Sequence, residues 1–328
     1  MSSARVTVII PAYNAAGRIA RTLDSVLAQT LQEILVWVVD DGSTDATAEI
    51  VSGYVRRDSR VRLFRQQNNG AYTARLTAWR EATTEYVGFV DADDTIAPDM
   101  YARMVEFADA HDLELVQCDQ QEDVHAGDSP ELFLGRDVVL EKVVIPRLIR
   151  GEGAVCVWDK LYRRGIHDIS SFIRSSILMG EDLAINLQFF VGLSRIGYLH
   201  LPLYHYDVNS ESSVKNFRKR NILDFQEIVR FRNLLGPRYG YEANHPFMRG
   251  WILKNLMNAL WSALRAPTPN LGERVENVRA LLAIPEVAEA LQVRGGIRVL
   301  ASKTVIFCIR LLPIPGVLLA RLAMRIVQ

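Results

Sequence analysis

The chain has 328 residues, 49% of them apolar, with 38 Lys and Arg set against 38 Asp and Glu. It is long and apolar enough to bury one large domain with an appendage, which excludes a disordered chain. A formal charge of zero supplies no global field to recruit nucleic acid, so any electrostatic function is local.

Met1-Ser2-Ser3-Ala4-Arg5 runs into a strand pattern without the apolar stretch of a secretory signal, which predicts a domain that stays inside the cell. Residues 6–10 form a β-branched run ended by Pro11 and read as a strand buried on both faces. Residues 17–30 carry a helical stripe of Ile19, Leu23, Val26 and Leu27. The next buried strand, 34–39, ends in Asp40-Asp41-Gly42-Ser43-Thr44-Asp45, where Ser43, Thr44 and Asp45 can each cap a helix over 46–55. A short strand over 61–64, a helix over 73–83 and a strand over 86–90 continue the alternation, which predicts an α/β sheet with helices on both faces.

A helix over 100–110, a strand over 113–118, a polar loop over 119–130 and a helix over 132–150 follow, the last broken by Gly151-Glu152-Gly153. Beyond Asn209 long amphipathic segments at 217–235, 246–264 and 271–291 predict a helical region, with a boundary near residue 215 dividing domains 1–215 and 216–328. Cys118, Cys156 and Cys308 are far apart and odd in number, which fits neither a disulfide framework nor a zinc site and predicts reduced thiols. No run of about 20 uninterrupted apolar residues exists to serve as a single-pass membrane helix.

The chemistry gathers at strand ends. The strand over 86–90 stops at Asp91-Ala92-Asp93-Asp94, and carboxylates there need cations or water to hold them. In an extended segment Asp91 and Asp93 point to one side, where a hard divalent cation, Mg2+ or Mn2+, can be shared with substrate phosphates. Ligands of open α/β sheets bind beyond the carboxyl ends of the strands, so Asp40-Asp41 and Asp91-Asp93-Asp94 are expected to share a crevice.

Val8-Ile9-Ile10-Pro11-Ala12-Tyr13-Asn14, Ser25-Val26-Leu27-Ala28-Gln29-Thr30, Val38-Val39-Asp40-Asp41-Gly42-Ser43-Thr44-Asp45 and Asp91-Ala92-Asp93-Asp94 resemble, in order and spacing, the motifs of family 2 glycosyltransferases. The likeness covers about residues 5–215. It implies the GT-A fold, a nucleotide-sugar-binding, Rossmann-like mixed α/β sheet, here with a helical C-terminal extension. It further implies an inverting, metal-dependent transfer of a hexosyl or N-acetylhexosaminyl group from a nucleoside diphosphate sugar, a UDP-sugar by expectation, to a glycan or lipid-linked acceptor in cell-surface polysaccharide synthesis.

By that resemblance Pro11, Tyr13, Asp40 and Asp41 hold the nucleotide, and Arg75, after the Gly70 turn, meets its negative charge; Leu76 and Ala78 stand where the family has Asn and Gly. The bland alternatives are a Tyr13 ring over the sheet edge, a turn and cap at 40–45, and Arg75 as a surface cation. Metal coordination falls to Asp91 and Asp93, with Asp94 a supporting group or cap. Asp182, in Met179-Gly180-Glu181-Asp182-Leu183, is the expected general base, although Glu181 and Asp182 also suit the positive end of a helix. Trp158, Lys160 and Glu181 are expected on the acceptor side, with core packing the alternative for Trp158, and His205 is a metal candidate that can equally be structural.

From Arg294 onward there is no Asp or Glu, and residues 297–328 mix apolar residues with Arg298, Lys303, Arg310, Arg321 and Arg325. Such a tail suits either the anionic inner leaflet, giving a peripheral membrane protein, or a hairpin docked on the catalytic domain or on a second copy. A nucleotidylyltransferase would need a Gly-rich basic loop after the first strand, which Pro11-Ala12-Tyr13-Asn14 is not. A catalytically degenerate nucleotide-sugar-binding or scaffolding subunit is the other alternative.

Overall fold

A computed structural model describes residues 4–121, 138–139, 141–150, 156–165, 180–207, 220–243, 245–265 and 271–292. The chain divides into two compact units, Met1–Glu211 and Ser212–Gln328.

In the first unit β1 (Val6–Ala12) is buried at every residue, as its unbroken β-branched run requires. It lies between β2 (Ile34–Asp40) and β4 (Tyr86–Phe89), parallel to both, and β3 (Val61–Arg65) extends the sheet parallel to β2. Three helices make the crossovers: α1 (Ile19–Leu27), α2 (Thr47–Arg57) and α3 (Ala71–Glu81). α1 buries the stripe of Ile19, Leu23 and Val26. Each such side chain contributes roughly 1.5–3 kcal/mol on leaving water. Of the three expected caps for α2, Asp45 supplies one: its Oδ1 accepts the Thr47 N–H at 3.0 Å and its Oδ2 the Ala16 N–H at 3.0 Å, stapling the β1 loop to the helix start.

The second half of the sheet is where the strand alternation was not legible. After β5 (Thr95–Ile96) and α4 (Met100–His111), β6 (Leu115–Gln121) runs beside β8 (Lys160–Arg163), which is antiparallel to both β4 and β6. β9 (Ile196–His205) pairs in parallel with β6 through a bulge at Cys118 to Gln120, and β5 and the short β7 (Val138–Val139) pair antiparallel with β9. Among the described residues the order is β3-β2-β1-β4-β8-β6-β9-β5, a mixed sheet of nine strands counting β7. α5 (Glu141–Arg150) and α6 (Glu181–Phe190) complete this unit. Gly88 in β4 lies against Tyr101 of α4, whose hydroxyl would stand 2.5 Å from an added Cβ, so only glycine fits.

Of the helix expected over 132–150, 138–139 is instead strand β7 and a helix is described from Glu141; residues 119–121 of the expected polar loop belong to β6. The boundary near residue 215 and the basic tail 297–328 lie outside the described residues.

The second unit contains α7 (Arg220–Leu235), α8 (Pro246–Arg265), α9 (Leu271–Leu282) and α10 (Pro285–Gln292). The single segment expected over 271–291 is two helices because Pro285 cannot donate to a continuing helix and begins a new one. Arg232 of α7 is fully buried with its guanidinium 3.8 Å from the centre of the Trp251 ring of α8.

Candidate active site

The sheet order brings the acidic segments together. β1 stands between β2 and β4, so the loops at Tyr13, Asp41 and Asp91 leave adjacent strands at the same end of the sheet. Tyr13 is half-exposed there, and Pro11 is buried in β1. Asn14 takes a left-handed φ of 49°, which lets its Oδ1 accept the Thr44 N–H at 2.9 Å. This ties the β1 and β2 loops together.

Asp40 and Asp41 are buried, and protein donors surround both. Asp40 Oδ1 accepts the Ser43 N–H at 3.1 Å, closing the turn at Gly42. Asp41 Oδ1 accepts the Asn69 N–H at 2.9 Å and Gln66 Nε2 at 2.7 Å, while Oδ2 accepts the Gly70 N–H at 2.7 Å. Asp41 is therefore the post on which the 66–70 turn hangs, and Oδ2 keeps a second lone pair for a further donor. Gly70, at φ 88°, opens α3 and so sets where Arg75 emerges.

Arg75 is no surface cation, being only 2% exposed. Its Nη2 donates to Asp91 Oδ1 at 2.7 Å, and its Nη1 lies 3.4 Å from Asp182 Oδ1 and 4.0 Å from Glu181 Oε1. One guanidinium thus joins the carboxylates after β4 to the pair that opens α6. Gly180, at φ 77°, starts that helix, and Glu181 and Asp182 fill its first turn. The Asp182 carboxyl is pushed up to about 8, first by desolvation, with Arg75 opposing and Glu181 and Asp91 adding to the rise. Its Oδ1 is enclosed and has no hydrogen-bond partner among the described residues.

Asp94 is a fixed point rather than an open ligand. Buried, it accepts Tyr204 Oη at 2.6 Å and the Asp207 N–H at 2.9 Å, and the same tyrosine oxygen accepts the Asp91 N–H at 3.1 Å. Arg21 donates to Asp207 Oδ2 at 2.5 Å and to the Asp93 carbonyl at 2.7 Å. Strand β9 thereby clamps the acidic loop, leaving the Asp91 and Asp93 carboxylates about 30% accessible.

The other expected residues divide. Lys160, expected on the acceptor side, is fully buried, with Nζ 2.6 Å from Asp159 Oδ1 and 2.6 Å from the Cys156 carbonyl. Trp158 is buried and stacked on Tyr204 at 4.1 Å between ring centres, which is the packing alternative. His205 pairs with Thr95 across β9 and β5, and burial lowers its pKa. Among the described residues no group of three or more His, Cys, Asp or Glu side chains could hold a metal ion by itself. That donor set fits a cation shared between two accessible carboxylates and substrate phosphates, not a cation caged by protein alone.

Parallel strands whose loops present buried and partly exposed carboxylates at one end, in a mixed sheet flanked by helices, define an α/β domain of the GT-A fold. Residues 7–137 match the family model described as glycosyl transferase family 2. It is 34% identical over 215 residues to the uncharacterized glycosyltransferase EpsJ of Bacillus subtilis (strain 168), covering 63% of this chain and 62% of that protein. A shorter stretch is 40% identical over 94 residues to chondroitin synthase of Escherichia coli, 29% of this chain and 14% of that one. The match spans just under two thirds of the length of EpsJ and of the putative glycosyltransferase EpsH, at 62% and 65%. The fold is shared with S. aureus TarS 1-349, solved in complex with UDP-GlcNAc, at a TM-score of 0.60 and 19% identity over 87% of this chain and 89% of that one.

Proposed function

We propose that this chain is an inverting glycosyltransferase that moves a sugar from a nucleoside diphosphate sugar, UDP-linked, to a glycan or lipid-linked acceptor in cell-surface polysaccharide assembly. The observation that carries this reading is the Arg75 bridge, which sets Asp182 beside the acidic loop. Tyr13 and Asp41 bind and orient the nucleotide, the ring by its exposed face and the carboxylate by its remaining lone pair. Asp91 and Asp93 would hold the divalent cation, Mg2+ or Mn2+, which supplies positive charge against the leaving diphosphate. Asp182 takes the acceptor hydroxyl's proton as that oxygen attacks the anomeric carbon, and its raised affinity for a proton suits a base near neutral pH. Glu181, about a quarter accessible, lies beside it on the acceptor side. The basic composition of 297–328 supports a contact with an anionic inner leaflet, where a lipid-linked acceptor would reside. No helix among the described residues is long and apolar enough to cross a membrane.

Thermal-shift titration of UDP, GDP, CDP and TDP, each with Mn2+ and with EDTA, tests the donor half on wild type and Asp93→Ala. About 100-fold saturation adds about 2.7 kcal/mol, and the gain is expected for one nucleotide, with metal, in wild type alone. Stabilisation by none of the four would make a degenerate scaffold the better reading. Transfer by Asp182→Asn at the wild-type rate would remove Asp182 as the base.

A further inference from the structure

Helix α6 is buried from Leu183 to Phe190, yet Asn186 and Gln188 sit within that apolar stretch. Asn186 Nδ2 donates to the Cys156 carbonyl at 3.1 Å, and its Oδ1 accepts Tyr162 Oη of β8 at 2.9 Å. Lys160 Nζ donates to the same carbonyl, and Asp159, its ion-pair partner, accepts Gln117 Nε2 of β6 at 3.0 Å. The Cys156 carbonyl is therefore a node where a buried ion pair and α6 meet. Asp182 and Asn186 are one turn apart on one face of that helix. Gln188 ties α6 on another side to Tyr72 of α3, the helix that carries Arg75, at 3.1 Å.

Stability alone does not account for a fully buried Lys–Asp pair, because apolar residues of similar volume commonly serve as well or better. We propose that Asp159 and Lys160, acting through the Cys156 carbonyl and Asn186, are positioning residues that hold the face of α6 bearing Asp182 toward Arg75. The inference rests on the reading of Asp182 as the base. Four charged groups face Asp182: Arg75 from α3, Glu181 from α6, Asp91 from the loop after β4, and Lys160 from β8. Lys160 in turn faces Asp159, Cys156 and Asp182. Burial works most strongly against the charge on Lys160, and Asp159, Cys156 and Asp182 together more than offset it.

The test is the double variant Asp159→Asn/Lys160→Met, which removes both charges and conserves volume, alongside Asn186→Leu. Each is followed by its melting transition, its stabilisation by UDP with Mn2+, kcat and donor KM against pH, and carboxyl 13C titration of Asp182 assigned by its loss in Asp182→Asn. The double variant is expected to melt cooperatively and keep its UDP response and donor KM. Its kcat should fall about tenfold. The acid limb of kcat and the Asp182 titration should both move up by about one pH unit as a facing cation is lost. Asn186→Leu should lower kcat with unchanged donor KM, and it carries the test if the double variant does not fold. Unchanged kcat and an unmoved Asp182 midpoint in the folded variants would overturn the proposal. Should wild type transfer no sugar, the transfer reading fails by itself, and the Asp182 midpoint in Asn186→Leu, which removes no charge, still decides the positioning claim.

Discussion

Arg75 and Asp182 are held 3.4 Å apart, and the same guanidinium donates to Asp91 at 2.7 Å. Two segments separated by ninety residues of chain thus share one buried cation. Arg75→Met leaves two carboxylates facing each other without it, and removing one partner of a buried pair costs about 3–5 kcal/mol. Urea denaturation should show that loss. Arg75→Lys retains the charge but not the fork, so it should recover part of the stability and little of any transfer activity. Equal stability of Arg75→Met and wild type would contradict the bridge.

Proton linkage at Asp182 gives a second expectation. Its carboxyl is pushed up to about 8 in the folded chain, above the roughly 3.9 of an unfolded Asp. The folded state therefore binds that proton more tightly. The contribution is complete below about pH 4 and is lost as pH rises through about 8. Wild type should lose stability relative to Asp182→Asn between those limits, while transfer, which needs the ionised base, should rise over the same range. Melting curves of both proteins at about pH 5 and about pH 9 check the first, and a pH–rate profile checks the second.

Asp41 accepts three hydrogen bonds from the 66–70 turn. Asp41→Asn turns one acceptor into a donor that faces backbone N–H groups. A cost of about 1–3 kcal/mol is expected, with weaker nucleotide binding, since the turn positions Arg75. Denaturation and UDP titration of the variant measure both.

Arg232 has no hydrogen-bond partner at Nε, Nη1 or Nη2 among the described residues, and burial pushes its pKa down to about 9. Its contact with the Trp251 ring returns about 2 kcal/mol, less than the several kcal/mol needed to take an ion from water. Arg232→Met should therefore raise the melting temperature. A lower melting temperature would show that the stacked cation outweighs its desolvation.

Gly42 has φ 75°, and a Cβ there would lie 2.9 Å from the Asn68 backbone nitrogen. Gly42→Ala meets both obstacles at once and should destabilise by about 1–3 kcal/mol, read as a lower urea midpoint. Gly17→Ala, where nothing lies within 4 Å, should not.

The alternating first half of the sheet was legible along the chain, because local periodicity and strand-end punctuation record which segments are buried and where they stop. The runs 6–10, 34–39, 61–64 and 86–90 all lie within strands or extend one residue past them. The acidic segments at 40–41 and 91–94 were also legible, since carboxylates beside apolar runs stand out against their surroundings, whereas the pair at 181–182 was picked out only by the family resemblance. Their partners are set by the folded arrangement. Nothing local says that Arg75 faces Asp182, or that Lys160 turns inward to Asp159 while Trp158 stacks on Tyr204. The antiparallel insertion of β8 between β4 and β6 was equally hidden, as its residues are buried through long-range pairing rather than by a pattern of their own. Charge pairing and strand order depend on distances through space, and a chain read in one dimension does not contain them.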